Sequence, residues 1–125
     1  MTGRIDSDGR ALVDVRVRLG TSSHTIEAGV DTAFTGDLLV PRDLVESSGA
    51  EPEKQVQTVL ADGTVGEMPI FAGAVRWFDD EERPAEIIPA DCRTALLGVG
   101  LLLGLCVELD YSAMTVRVFP SDVAT

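Results

Sequence analysis

Ala28-Gly29-Val30-Asp31-Thr32-Ala33-Phe34-Thr35-Gly36 is the stretch whose reading decides the fold. An apolar strand end delivers one aspartate into a turn of small residues, and the chain turns apolar again at Asp37-Leu38-Leu39-Val40. A carboxylate set between two strands is costly to desolvate, so it needs hydrogen-bond partners or a chemical task. Thr32 can hydrogen-bond locally through its hydroxyl, and Ala33 and Gly36 let other backbone come close. Taken alone, Asp31 reads as an ordinary Asx residue of a turn or as a helix-cap acceptor. Its surroundings decide otherwise.

Upstream, Ala11, Val13, Val15, Val17 and Leu19 alternate with Asp14, Arg16 and Arg18, a half-buried strand by its period of two. Gly20-Thr21-Ser22-Ser23 is a hairpin turn, and His24 to Val30 returns as a second strand. The residues before Ser7-Asp8-Gly9 form a short strand or a frayed terminus. Downstream, Leu38 to Val40 is a short buried strand, and Pro41 to Gly49 reads as one or two helical turns with proline at the start and glycine at the stop. After a polar loop (50–55), Val56 to Leu60 is a strand, and Ala61-Asp62-Gly63-Thr64 is a hairpin signal. The return arm, Val65 to Phe78, carries Pro69 and Gly73, which suit an edge or a bulge.

Asp79-Asp80-Glu81-Glu82 reads as a solvated loop tip. Arg83 to Pro89 is a strand, and Thr94-Ala95-Leu96-Leu97-Gly98 is a short buried strand ending in glycine. Val99 to Gly104 suits a short helix. Leu105 to Asp110 and Thr115 to Phe119 are strands around a turn, and the tail 120–125 is expected to be mobile. Many short strands with regular turns argue an all-β barrel or sandwich.

The bulk numbers bound the function. A chain of 125 residues that is 45% apolar suits one globular domain with a real core, with no internal boundary visible. A net charge of −11 argues against nucleic acid and against anionic membrane surfaces, both of which need a positive footprint. The apolar run Ala95 to Val107 is shorter than the ~20 residues that span a bilayer. Met1-Thr2-Gly3-Arg4-Ile5-Asp6 carries no apolar signal region, so a cytoplasmic location is expected. Cys92 and Cys106 are expected as reduced thiols, one bridge between them being the alternative.

Several constellations fail. Gly98, Gly100 and Gly104 miss the dinucleotide spacing and its strand-helix-strand context. His24 is the only histidine and sits mid-strand, which suits a structural or surface role better than a nucleophile's base. One histidine and two distant cysteines make no zinc set, and no calcium-loop pattern occurs. No metal or cofactor is expected.

Three features remain: Val30-Asp31-Thr32-Ala33, the Asp62-Gly63 hairpin, and Ala95-Leu96-Leu97-Gly98 followed by a short apolar helix. Separately, Asp62 is an ordinary hairpin tip and Gly98 a close-packing glycine. In this order they resemble the retropepsin-like aspartic proteases, the retroviral and retrotransposon enzymes and their small bacterial relatives. The match covers roughly residues 11–119 of a single domain, with the termini at a dimer interface or mobile.

The resemblance implies an all-β, closed acid-protease barrel with one or two short helices. It further implies an aspartic endopeptidase acting on peptides or proteins. One chain supplies one aspartate, so it implies a homodimer in which Asp31 faces Asp31 of its partner. Asp31, Thr32 and Ala33 would form the catalytic turn, with Thr32 bonding across the interface. Leu60, Ala61, Asp62 and Gly63 would form the flap over substrate, and Leu97 and Gly98 would line the site, Gly98 letting its strand pass under the catalytic loop. Two features depart from the pattern, one of them the lack in Leu97-Gly98-Val99-Gly100 of the polar or charged residue that often follows that glycine in relatives. The other is that the family's glycine after Asp-Thr is Ala33 here. Its methyl group would crowd substrate, or strain the backbone if the turn requires φ > 0. The alternative reading is therefore a protease-like dimer that binds peptides or proteins without cleaving them.

Overall fold

The computed structural model describes residues 2–59 and 61–122. Ten strands and two short helices follow in the order β1 (Thr2–Ile5), β2 (Ala11–Leu19), β3 (Ser22–Val30), β4 (Leu38–Pro41), α1 (Arg42–Ser48), β5 (Lys54–Val59), β6 (Val65–Arg76), β7 (Arg83–Ala90), β8 (Ala95–Leu97), α2 (Val99–Leu102), β9 (Leu105–Asp110) and β10 (Thr115–Pro120). The fold is all-β, as the strand periodicity predicts. Among the described residues no helix is long and apolar enough to cross a membrane.

Valines on one face of β2 start the core. Val13, Val15, Val17 and Leu19 are buried while Asp14, Arg16 and Arg18 face out. Leu38, Val40, Val75, Ile87 and Leu97 meet them from four other strands, all essentially without exposure. Each such side chain contributes about 1.5–3 kcal/mol on leaving water, so this cluster dominates the packing.

The strand pairings close a circuit. β2 pairs antiparallel with β3, β3 parallel with β8, β8 antiparallel with β4, β4 parallel with β7, β7 antiparallel with β6, and β6 returns to β2 through Arg16↔Arg76, Val17↔Val75 and Arg18↔Ala74. Gly73 makes that return possible: a Cβ there would lie 2.8 Å from Ile87 and 2.9 Å from the Arg18 carbonyl. Two extensions leave the circuit. β1, β10 and β9 continue from β2, with β9 at the edge. β5 pairs with the first half of β6 as a two-stranded ribbon, from Lys54↔Ile70 to Val59↔Val65. Pro69 lies in this ribbon half, where β6 has β5 alone as partner, and so agrees with the edge reading.

The polar start of the chain resolves as a strand held between β2 and β10. β5 begins at Lys54, inside the segment expected as a loop, because its pairing with Ile70 outweighs the weak local β-propensity of Lys54-Gln55. His24 is half-buried on β3 opposite Val17. Both cysteines are free. Trp77 is core, edge-on to Phe78 at 5.2 Å, and Tyr111 is exposed.

Candidate active site

Three strands position Asp31, the end of β3 and the short β4 and β8. β8 lies between β3 and β4, the two strands that the 31–37 loop connects, parallel to the first and antiparallel to the second. The chain therefore threads Ala95-Leu96-Leu97 beneath the loop. Buried apolar residues on each strand (Ala28, Leu38, Leu97) fix the register. Val30 pairs with Leu97, and the Asp31 N–H donates to the Leu97 carbonyl at 2.9 Å, so the ladder ends on the aspartate itself.

Beyond that bond the backbone turns. Asp31 Oδ1 accepts the Ala33 N–H at 2.9 Å and the Asp31 carbonyl accepts the Phe34 N–H at 3.2 Å. The Asx geometry expected of an aspartate in a turn is thus present, yet it occupies one carboxylate oxygen only. Asp31 is half-buried, and Thr32 and Ala33 are exposed. Among the described non-glycine residues Met114 alone has a positive φ. Ala33 therefore keeps an ordinary backbone, and the strain a methyl group would bring to a left-handed turn does not arise.

Gly98 follows β8 directly under the loop. A Cβ there would overlap the Gly36 carbonyl oxygen and lie 2.6 Å from the Phe34 ring and 2.7 Å from the Phe34 carbonyl oxygen. That closeness lets three main-chain bonds cross: Gly98 N–H to the Asp37 carbonyl at 2.8 Å, Val99 N–H to the Phe34 carbonyl at 2.8 Å, and Gly100 N–H to the Gly36 carbonyl at 3.0 Å. Loop and turn thus stitch each other along their length.

The structure brings Asp31, Thr32 and Ala33 together with Leu97 and Gly98. Ala61, Asp62 and Gly63 lie elsewhere, on the exposed tip of the β5–β6 ribbon, and among the described residues no hydrogen bond or ion pair joins that tip to the loop. Leu60 lies outside the described residues. The tip is not the two-residue turn that Asp-Gly favours, because Asp62 keeps a negative φ while Gly63 is left-handed at 86°. The Asp62 carboxylate instead accepts the Thr64 N–H at 3.0 Å and the Thr64 hydroxyl at 2.6 Å, and these bonds, the hydroxyl's first, hold it below the usual aspartate range.

Sequence reasoning did not single out Phe34, Asp37 or Gly100. Phe34 packs its ring against Gly36 and Gly98, and Asp37 ties the loop to β7 (below). The available signal was a pair of alternating glycines directly after a buried strand, which marks close backbone approach.

No protein-family model matches this sequence, and no curated protein matches it. The fold is similar to that in the crystal structure of a retropepsin-like aspartic protease from Rickettsia conorii, with a TM-score of 0.61 over 94% of this chain and 91% of that chain. The sequences are 14% identical, so the likeness is one of fold.

Proposed function

We propose that this chain is an aspartic endopeptidase that acts as a homodimer, with one Asp31 from each subunit meeting at a two-fold axis. The observation that carries the reading is the seat of Asp31. It stands at the end of a parallel ladder, bonded to Leu97, over a strand that passes beneath it on Gly98. The fold shared with a retropepsin-like protease supports the same reading.

Two carboxylates at such an axis cannot both ionise, so they hold one proton between them. The charged Asp31 takes a proton from a water molecule, whose oxygen forms a bond to the peptide carbonyl carbon. The other Asp31 gives its proton to the carbonyl oxygen. The tetrahedral product then collapses: the C–N bond breaks, the Asp31 that took the water proton gives it to the leaving amine, and the other Asp31 takes a proton back from a hydroxyl of the former carbonyl carbon, which restores the shared proton. Thr32, exposed beside Asp31, is assigned to the contact between subunits. The β5–β6 ribbon covers an extended peptide and excludes water, and the peptide's backbone binds as an added strand.

Incubation with a mixed peptide library at pH 4–7 tests this. Wild type cleaves and Asp31→Asn, equally folded, does not. Equal absence of cleavage in both would remove the enzyme reading. Ala33 supports a second reading, a peptide-binding dimer without hydrolysis, because its exposed methyl group stands where the family's glycine leaves room. Cleavage that appears only in Ala33→Gly would favour that reading for the natural chain.

A further inference from the structure

The far end of the Asp31 loop carries a second carboxylate that the proposed chemistry does not use. Asp37 immediately precedes β4, and its Oδ2 accepts the Glu86 backbone N–H at 2.9 Å. β4 and β7 run parallel from Leu38↔Ile87 onward, so this bond adds one rung to their ladder with a side chain as acceptor. The Asp37 carbonyl meanwhile accepts the Gly98 N–H at 2.8 Å. One residue thus joins the loop to β7 through its side chain and to the turn after β8 through its backbone.

Gly100 makes room for this arrangement. A Cβ at residue 100 would overlap Asp37 Oδ1, so any side chain there would push the carboxylate off its seat. The two positions form a fitted pair, an acid on the loop and a glycine on α2. At its near end the loop is anchored by the Asp31 N–H to Leu97. At its far end Asp37 is the anchor, and Asp31 lies between the strands that the two anchors tie together.

We propose that Asp37 is a positioning residue for Asp31. Its carboxylate, seated over Gly100 and bonded to the Glu86 N–H, fixes the end of the loop so that the Asp31 carboxyl keeps its place. The catalytic part of this assignment rests on the peptidase reading above; the hold on the loop does not. Without the carboxylate, the Glu86 N–H loses its acceptor and space opens over Gly100. A reacting group misplaced by about 1 Å loses on the order of 100-fold in rate.

The test compares Asp37→Ala, Asp37→Asn, Gly100→Ala and the double variant Asp37→Ala/Gly100→Ala. Amide hydrogen exchange is followed by NMR at Glu86 and at Asp31, Ala33 and Phe34, with Val15 and Val17 on β2 reporting global opening. kcat and KM are measured on a peptide that wild type cleaves. In Asp37→Ala and in Gly100→Ala, exchange should quicken at Glu86 and through the Asp31 loop while β2 stays protected. kcat should fall about 10- to 100-fold with KM within about threefold. Asp37→Asn, which keeps an acceptor for Glu86, should recover most of both. The double variant should be no worse than Asp37→Ala, since the atom that a residue-100 Cβ displaces is already gone.

Faster exchange at Glu86 with an unchanged Asp31 loop, or wild-type kcat in Asp37→Ala, would overturn the proposal. So would an Asp37→Asn variant as impaired as Asp37→Ala. Should Asp37→Ala fail to fold, Gly100→Ala against Asp37→Asn decides by the same readings. A wild type that cleaves nothing would end the peptidase reading, and the exchange arm would still decide whether Asp37 holds the loop.

Discussion

Two glycines near Asp31 have opposite tolerances, and the space above each sets the difference. At Gly98 a methyl group would meet two main-chain oxygens, which cannot swing away, and the Phe34 ring. Gly98→Ala should therefore cost about 1–3 kcal/mol, the range of overpacked sites, read as a lower urea midpoint at constant slope. At Gly29, one residue before Val30, a Cβ would sit 3.5 Å from Leu96 and 3.8 Å from the Ala95 carbonyl, which is ordinary contact, and φ there is not positive. Gly29→Ala should be neutral or should stabilise by about 0.4–1 kcal/mol through the unfolded chain. Ala33 follows the same logic in reverse. Its backbone is one that alanine accepts, so Ala33→Gly should lower stability by about 0.4–1 kcal/mol. If the proposed peptidase is active, that variant should still cleave.

Among the elements, the β5–β6 ribbon has two apolar side chains that no packing requires. Val59 and Val65 face each other across its end and are 73% and 64% exposed. Exposed positions of this kind rarely move stability by more than about 0.5 kcal/mol. The double change Val59→Ser/Val65→Ser should leave the urea midpoint nearly unchanged. If the ribbon covers substrate, KM should rise severalfold with a smaller effect on kcat. Equal kinetics in the double variant would mean that the ribbon does not touch substrate.

Legibility in the sequence varied with the range of the interaction. β2 declares itself because its alternation from Val13 to Leu19 exposes the period, and β3 follows from the hairpin turn before it. The Asp31 turn was legible because a lone acid between apolar runs is a local conflict. β8 is only three residues long, so its apolar run could be found but not its parallel register with β3. The β2–β6 return and the bond from Asp37 to Glu86 join residues about fifty positions apart or more. Such pairings depend on tertiary packing and leave no local period to read. β1 shows the same limit: Thr2-Gly3-Arg4 has no pattern of its own, and its neighbours recruit it.

At the scale of the whole molecule the acidic charge is partly organised into bonds. Asp6 accepts the Arg10 and Asp8 backbone N–H groups and pairs with the Arg10 side chain. Glu27 receives Arg4, Glu82 receives Arg18 and Asp79 receives Arg83. Hydrogen bonding holds all four carboxyls below their ordinary values. A depressed folded-state pKa means that the unfolded chain binds protons first. The stabilisation is thus complete above the ordinary values, 3.8 for the two aspartates and 4.5 for the two glutamates, and disappears as pH falls through the lower folded values. The thermal midpoint should fall as pH drops below 4.5, and Asp6→Asn should flatten the part of that fall that lies below 3.8. A midpoint that holds steady into that range would show these bonds to be energetically idle.

The proposed dimer makes a sharper demand at the same scale, because one aspartate per chain cannot supply both an acid and a base. Activity should then depend on pairs of chains. Specific activity should fall on dilution as dimers dissociate, in step with the sedimentation coefficient. Mixing with Asp31→Asn distinguishes shared from private sites. If every active site needs two wild-type chains, an equimolar, fully exchanged mixture retains about a quarter of the activity, since only pairs of two intact chains work. If each chain carried a complete site, about half would remain. A response that follows the square of the wild-type fraction would therefore place the catalytic carboxyls on two subunits. A linear response would return the chemistry to a single chain, where Asp31 would need a different partner.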